Sequence, residues 1–361
     1  MSKKKKIMII ILVMLLIAGI FQISNNMYVS TFTEQNKTEL GITLNKMMKG
    51  YVTNNKFSGT ILVAKDNTIL FHEGYSYSKR YMGKRKNEAD TKFLIGSISK
   101  TFTALAIMKL NQNNKINLDD KVTAFFPEYE NWEEVTVHQL LNHTSGIPNY
   151  YGSVSSYIKY FMSDISPEEI LSTYQDKSLL FEPGQEFDYS NTNYILLGKI
   201  IEHVSNEDYI TYLTTHIFEP LGLENTGYEA RPNSVKGLAR GYALNNIIEV
   251  NFFNLSNLYS AGGLYSTVKD LYTFCSALDH DMLFNDNSKV KTSSAYYGYG
   301  LSRSYMKDGS KVFYHTGGGP GITTGMYNIP DKDIEIIILG NNQQKITEDI
   351  RDDIYECLIR N

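Results

Sequence analysis

Hydrophobic positions along this chain follow two periods, and the change from one to the other marks its elements. Thr60-Ile61-Leu62-Val63-Ala64 and Thr68-Ile69-Leu70-Phe71 flank Lys65-Asp66-Asn67, which predicts a β-hairpin turning at Asp-Asn. An apolar run from Phe102 to Leu110 predicts a helix from Ser97 to about Asn113. From there to about residue 225 the pattern is mostly helical. Val135 to Leu141 gives one short helix, and Pro167-Glu168-Glu169-Ile170 opens another with a proline and two acids in its first turn. Asn193 to Val204 and Glu207 to Phe218 make an amphipathic pair. Ala261-Gly262-Gly263-Leu264-Tyr265-Ser266-Thr267 reads as a Gly-rich turn leading into a helix from Val268 to Leu278. After residue 296 the pattern becomes strand-like. Gly298 to Tyr305, Lys311 to His315, Ile322 to Ile329 and Ile334 to Leu339 are separated by turn signals such as Pro330-Asp331-Lys332-Asp333. Ile346, Ile350, Ile354 and Leu358 then put one apolar face on a closing helix, Lys345 to Ile359.

Strands at both ends with helices between them predict an α/β (α+β) sandwich. Its antiparallel sheet, built from the early hairpin and the late strands, is flanked by the terminal helices and carries an inserted all-helical subdomain over about 114–255. The cleft between sheet and subdomain is then the expected site. The folded domain is read as 51–361, with 26–50 as a tether whose second half is weakly helical.

The first 25 residues stand apart. Lys3 to Lys6 precede the uncharged run Ile7 to Phe21, the pattern of a secretory signal. Fifteen helical residues reach about 22 Å, short of the roughly 30 Å hydrocarbon core. No Ala-x-Ala site follows, so an uncleaved membrane anchor is favoured over a cleaved, secreted form. Either way the chain beyond about residue 25 is expected on the extracytoplasmic face.

Those lysines are the only charges before residue 26, so an overall net charge of −4 leaves −8 on the remainder. That sign argues against nucleic acid as a partner. Cys275 and Cys357 show no CxxC and no metal-ligand spacing, and read as thiols on helices.

Chemistry concentrates at Phe93-Leu94-Ile95-Gly96-Ser97-Ile98-Ser99-Lys100-Thr101-Phe102. Gly96 permits a turn, Ser97 begins a helix, and Lys100 follows on the same face. A Ser hydroxyl needs a neighbouring base to become a nucleophile, and the free N–H groups of a helix start favour developing negative charge. Ser-x-x-Lys alone is weak evidence, since it recurs from Ser2, Ser76, Ser156, Ser266, Ser288 and Ser304. Ser97 differs in its Gly-Ser start and apolar flanks. Two further motifs follow in order. Glu182 to Asn191 is a Pro-Gly turn ending in Tyr189-Ser190-Asn191, and His315-Thr316-Gly317-Gly318-Gly319-Pro320-Gly321 runs from a strand into glycines whose N–H groups can face a ligand.

With these motifs the chain from about Phe57 to Cys357 resembles the serine β-lactamase and penicillin-binding protein superfamily, in its class C-like branch of low-molecular-weight DD-peptidases and related esterases. Leu140-Leu141-Asn142-His143-Thr144-Ser145-Gly146, Phe181 to Asn191, Glu219-Pro220-Leu221-Gly222 and Gly262 to Asp270 also resemble family stretches. The resemblance implies a β-lactamase/transpeptidase-like fold with Ser97 as acylated nucleophile and Lys100 as its partner. It implies Tyr189 as base or proton shuttle; which of Lys100 and Tyr189 takes the Ser97 proton stays open. It implies that Asn191 meets the substrate amide and that His315 and Thr316 line the strand near a substrate carboxylate, with Gly317 and Gly318 beside them. The N–H groups of Ser97 and Gly318 would form the oxyanion hole. No metal or organic cofactor is implied. His315 stands where class C β-lactamases carry Lys, which makes carboxylate recognition weaker or pH-dependent.

The expected activity is an acyl-enzyme-forming serine hydrolase of the bacterial cell envelope, DD-carboxypeptidase-like, acting on D-alanyl groups of cell-wall peptides. β-Lactams are expected acylating ligands. The rivals are a teichoic-acid D-alanyl esterase, a class C-type β-lactamase and a non-catalytic wall-binding protein.

Overall fold

The early hairpin and the late strands meet in one sheet, as the pattern predicts. A computed structural model describes residues 36–81, 83–151, 164–244, 246–250 and 255–360. The sheet has eight strands: β1 (Gly59–Lys65), β2 (Thr68–Tyr75), β3 (Val290–Lys291), β4 (Tyr296–Tyr297), β5 (Ser302–Tyr305), β6 (Lys311–Gly319), β7 (Ile322–Ile329) and β8 (Ile334–Gly340). Their spatial order is β3-β4-β5-β6-β7-β8-β1-β2, every neighbour antiparallel. Thr60 pairs with Leu339, so the two ends of the domain are stitched inside the sheet, one strand in from its β2 edge.

The strands β1 and β8 are apolar at most positions because both faces are covered. Ile61, Val63, Ile336 and Ile338 point into one core with Leu44, Met48, Ile350 and Ile354. Leu62, Ala64, Ile337 and Leu339 point into the other. Alternation along a strand sends successive side chains to opposite faces, so a doubly covered strand reads as a near-continuous apolar run. The first face carries α1 (Glu39–Thr53) and the closing helix, Thr347–Arg360. On the second lies α2 (Ser99–Gln112), buried on nearly every side between the sheet and the inserted helices. Phe102 of α2 stacks on Phe274 with ring centroids 3.6 Å apart.

The inserted helices include α3 (Val137–Leu141), α4 (Pro167–Tyr174) and α5 (Asn191–Ser205). Ser166 caps α4 in a capping box ahead of its N1 proline.

Four expectations are corrected. Residues 39–50, read as tether, belong to the domain, because Leu44, Met48 and Val52 bury one face of α1 in the sheet core. The inserted region is not helical to 255: Gly227–Tyr228, Tyr242–Ala243 and Ile248–Glu249 are short strands, and Gly227–Tyr228 joins Phe93–Leu94 through Leu264–Ser266. Residues 261–267 accordingly hold a helix end and that strand rather than one turn. The strand expected over 298–305 is shortened to β5, Ser302–Tyr305, because the Gly300 turn docks on α2, where its carbonyl accepts the Thr101 hydroxyl at 2.7 Å.

Cys275, in α6 (Val268–Ser276), is a buried thiol, and Cys357 lies in α7 (Thr347–Arg360), so both sit on helices as read. The segment 1–25, read as signal or anchor, lies outside the described residues. Among the described residues no helix is long and apolar enough to cross a membrane.

Candidate active site

Gly96, Ser97 and Ile98 form a single 3-10 turn that runs directly into α2. Gly96 takes φ +55°, a left-handed conformation that favours glycine, and β6 passes against it at Gly317 and Gly318. A Cβ on Gly317 would overlap the Ile95 carbonyl oxygen and the Thr324 hydroxyl. The glycine at 317 is therefore what lets the strand approach the Ser97 turn. At Gly318 the side-chain direction is open.

Lys100 lies in the first turn of α2 and is wholly buried. Its Nζ is 3.2 Å from Ser97 Oγ, and it donates to Asn191 Oδ1 at 2.8 Å and to the Ala261 carbonyl at 2.5 Å. The amine also sits over the rings of Tyr189 and Tyr194, 4.9 and 5.5 Å from their centroids. All these partners are neutral, and burial drives the Lys100 pKa well below the ordinary lysine value. A neutral amine has two N–H groups and one lone pair. The two N–H groups are taken by Asn191 and Ala261, which leaves the lone pair for the Ser97 hydroxyl.

Tyr189 is hydrogen-bonded to Ser97, and burial pushes its hydroxyl well above the ordinary tyrosine value, so it stays protonated. Its loop is held from below by Asn149, whose Oδ1 accepts from the Asn191 N–H at 3.2 Å and whose Nδ2 donates to the Tyr189 carbonyl at 3.3 Å. Asn191 opens α5, so the same helix start that ends the loop aims its amide at Lys100. The three motifs thus converge as their order in the chain suggested.

His315 departs from expectation. It is buried, its Nδ1 lies 2.8 Å from the Thr316 carbonyl, and its Nε2 lies 3.1 Å from the Tyr297 hydroxyl. A carbonyl can only accept, so Nδ1 carries the proton and Nε2 accepts from Tyr297. Burial, then the nearby Lys100, hold its pKa down to about 3, so the ring is neutral across the ordinary pH range. His315, Thr316 and Gly317 do not line the cavity that opens on Ser97. Thr316 and Gly317 face a separate groove shared with Gln343, Gln344 and Lys345. The reason is the strand's direction: β6 runs past the Ser97 turn, and only from Gly318 onward does it border the cavity.

That cavity has a volume of about 320 Å³. Ser97, Asn191 and Gly318 supply its polar edge, and Phe93, Leu94, Leu258 and Ile322 are among its apolar walls. No charged side chain lines it among the described residues.

Pattern reading missed several participants. The Ala261 carbonyl carries no sequence signal, because a backbone acceptor has no residue type. Tyr194 and Tyr297, which pack with Tyr189 around His143, are ordinary helix and strand aromatics in sequence. His143 had a signal, since its stretch resembled the family, but no role attached to it.

The family described as Beta-lactamase matches residues 44–359. Penicillin-binding protein 4* of Bacillus subtilis is 31% identical over 319 residues, covering 80% of this chain and 69% of that protein. Among solved structures, an octameric penicillin-binding protein homologue from Pyrococcus abyssi superposes with a TM-score of 0.78 at 30% identity, covering 90% of this chain and 78% of that one. A penicillin-binding protein from Bacillus halodurans gives 0.73 at 26% identity, over 87% and 99%. A match across nearly the whole domain, with penicillin-binding proteins as relatives in both sequence and structure, means that this chain belongs to the beta-lactamase family and is a serine hydrolase of the penicillin-binding protein type.

Proposed function

We propose that the protein acts on D-alanyl groups of the bacterial cell wall through an acyl-enzyme on Ser97, as a DD-carboxypeptidase-like penicillin-binding protein. The observation that carries this reading is the enclosure of the Lys100 amine by Ala261 O, Asn191 Oδ1 and Ser97 Oγ. Neutral Lys100 takes the Ser97 proton as Oγ attacks the D-alanyl carbonyl. The Ser97 and Gly318 N–H groups stabilise the oxyanion. Protonated Tyr189 passes a proton to the leaving group, and Lys100 returns one to Tyr189. Water or an amine then releases the acyl group by the reverse sequence. The similarity to Bacillus subtilis penicillin-binding protein 4* supports the substrate class. Lys3 to Lys6 and the apolar run after them support a site of action outside the cytoplasm, tethered to the membrane.

A second reading, hydrolysis of D-alanyl esters on teichoic acid, is favoured by one observation. Neutral His315 is tied to Tyr297 and supplies no positive charge for a free carboxylate. An ester needs less leaving-group protonation than an amide and fits the same machinery.

The test offers the full chain a fluorescent penicillin, a D-Ala-D-Ala peptide and D-alanylated teichoic acid, each with a Ser97→Ala control. A lasting mass addition on Ser97 with D-Ala release from peptide supports the first reading. Ester turnover without peptide turnover transfers the function to the second, and rapid loss of the penicillin adduct indicates a lactamase. Absence of any Ser97-dependent labelling or release rejects acyl transfer altogether.

A further inference from the structure

His143 follows α3 in the segment Leu140 to Gly146, to which the chemistry above gives no part. It contacts the Tyr189 loop twice, once on each side of that residue. The His143 carbonyl accepts from the Asp188 N–H at 3.0 Å, and its Nδ1 accepts from the Ser190 N–H at 3.2 Å. The imidazole also packs on the Tyr189 ring, with centroids 4.3 Å apart and planes inclined by 39°. Its backbone takes φ +62°, and its side chain is completely buried.

The tautomer follows from the partners. Asn193 Oδ1 accepts from the Ser145 hydroxyl at 2.9 Å, which turns Asn193 Nδ2 toward His143 Nδ1 at 3.4 Å. Nδ1 therefore faces two N–H donors and must present a lone pair. The ring proton sits on Nε2, which is buried without a hydrogen-bond partner. With no partner at Nε2, the ring is oriented by what Nδ1 does.

We propose that His143 is a positioning residue for Tyr189: with one carbonyl and one ring nitrogen it grips the backbone on both sides of Tyr189, fixes the phenol on Ser97, and does so only as the neutral Nε2–H tautomer. The inference rests on the acyl-enzyme reading of Ser97. The groups facing the ring are Lys100 from α2, Tyr189 from its loop, Tyr194 from α5, Tyr297 from β4 and His315 from β6. Burial, then Lys100, then His315 oppose protonation of the ring. A proton on Nδ1 would turn a third donor toward the Ser190 and Asn193 N–H groups and release the loop.

Two measurements test this. In the unmodified protein, 15N NMR of labelled histidine is expected to show His143 with Nδ1 unprotonated and Nε2 protonated from pH 5 to 8. An Nδ1–H signal, or titration in that range, overturns the proposal without any variant. The second measurement uses turnover of D-alanine p-nitroanilide. His143→Phe keeps a ring and removes the acceptor, whereas His143→Asn restores an acceptor near the Nδ1 position. His143→Phe is expected to lower kcat about 100-fold with KM changed less than about threefold, and His143→Asn to recover about tenfold of that loss. In a Tyr189→Phe background the His143→Phe loss should shrink to less than about threefold, because the effect runs through the phenol. A loss of equal size in both backgrounds, following the fall in melting temperature, overturns the proposal. If the unmodified protein shows no Ser97-dependent turnover, the acyl-enzyme reading fails, and the tautomer measurement still judges the clamp separately.

Discussion

The Lys100 amine donates to the Ala261 carbonyl at 2.5 Å across 161 residues of chain, and this bond occupies one of the two N–H groups a neutral lysine has. With Asn191 holding the other, what remains for Ser97 is the lone pair. Replacing the base should therefore separate chemistry from folding. Lys100→Met is expected to reduce Ser97 acylation by at least about 100-fold, read as the rate of fluorescent penicillin labelling. The stability effect has a definite sign with pH. The folded-state pKa of Lys100 is lowered, so between that value and its ordinary value the unfolded chain binds the extra proton. Unfolding free energy of the native chain then rises with pH in this window. Denaturation at pH 7 and 9 should show the native chain gaining on Lys100→Met at the higher pH.

His315 gives the same sign in a lower window. Its folded value near 3 lies below its ordinary 6.5, so its contribution is complete above about 6.5 and is lost as pH falls toward 3. Between pH 6.5 and 5 this amounts to about 2 kcal/mol. His315→Gln, which cannot titrate, should flatten that slope in chemical denaturation. An unchanged slope would mean that the ring already carries its proton in the native state.

Two neighbouring glycines should respond oppositely. Gly317→Ala puts a methyl into the Ile95 carbonyl and the Thr324 hydroxyl, pushing β6 off the Ser97 turn. Acylation should fall by about 100-fold and stability by about 1–3 kcal/mol. Gly318→Ala meets nothing within 4 Å and keeps its N–H, so acylation should stay within a few-fold of native. Both are read by labelling rate and melting temperature.

The stack of Phe102 on Phe274 anchors the helix that carries Lys100. Phe102→Ala should cost about 3–5 kcal/mol, measured by urea denaturation. Because α2 is enclosed by packing on nearly all sides, labelling by penicillin should weaken along with stability.

Much of this was legible in local pattern. Ile61 to Ala64 and Ile334 to Leu339 announced strands because both faces of the sheet are covered and nearly every position, Glu335 excepted, is apolar. Ser97, Lys100, Tyr189 and Asn191 were legible as a set because their motifs, weak one by one, follow in the order that the resemblance implies, and a helix start and a tight turn then hold them. The helicity of α1 was legible but its place in the core was not, because its polar residues outnumber the few that touch the sheet.

What the chain order determined by itself was therefore the set of elements and the identity of the groups brought to the nucleophile. The tertiary structure alone decided how those groups are wired. The Ala261 carbonyl that orients Lys100, the Tyr297 hydroxyl that turns His315 inward and the His143 grip on the Tyr189 loop all join residues far apart in sequence. Two are contacts to or from backbone atoms, which every residue carries alike. The protonation states follow from burial, a property of packing that no short stretch of sequence contains.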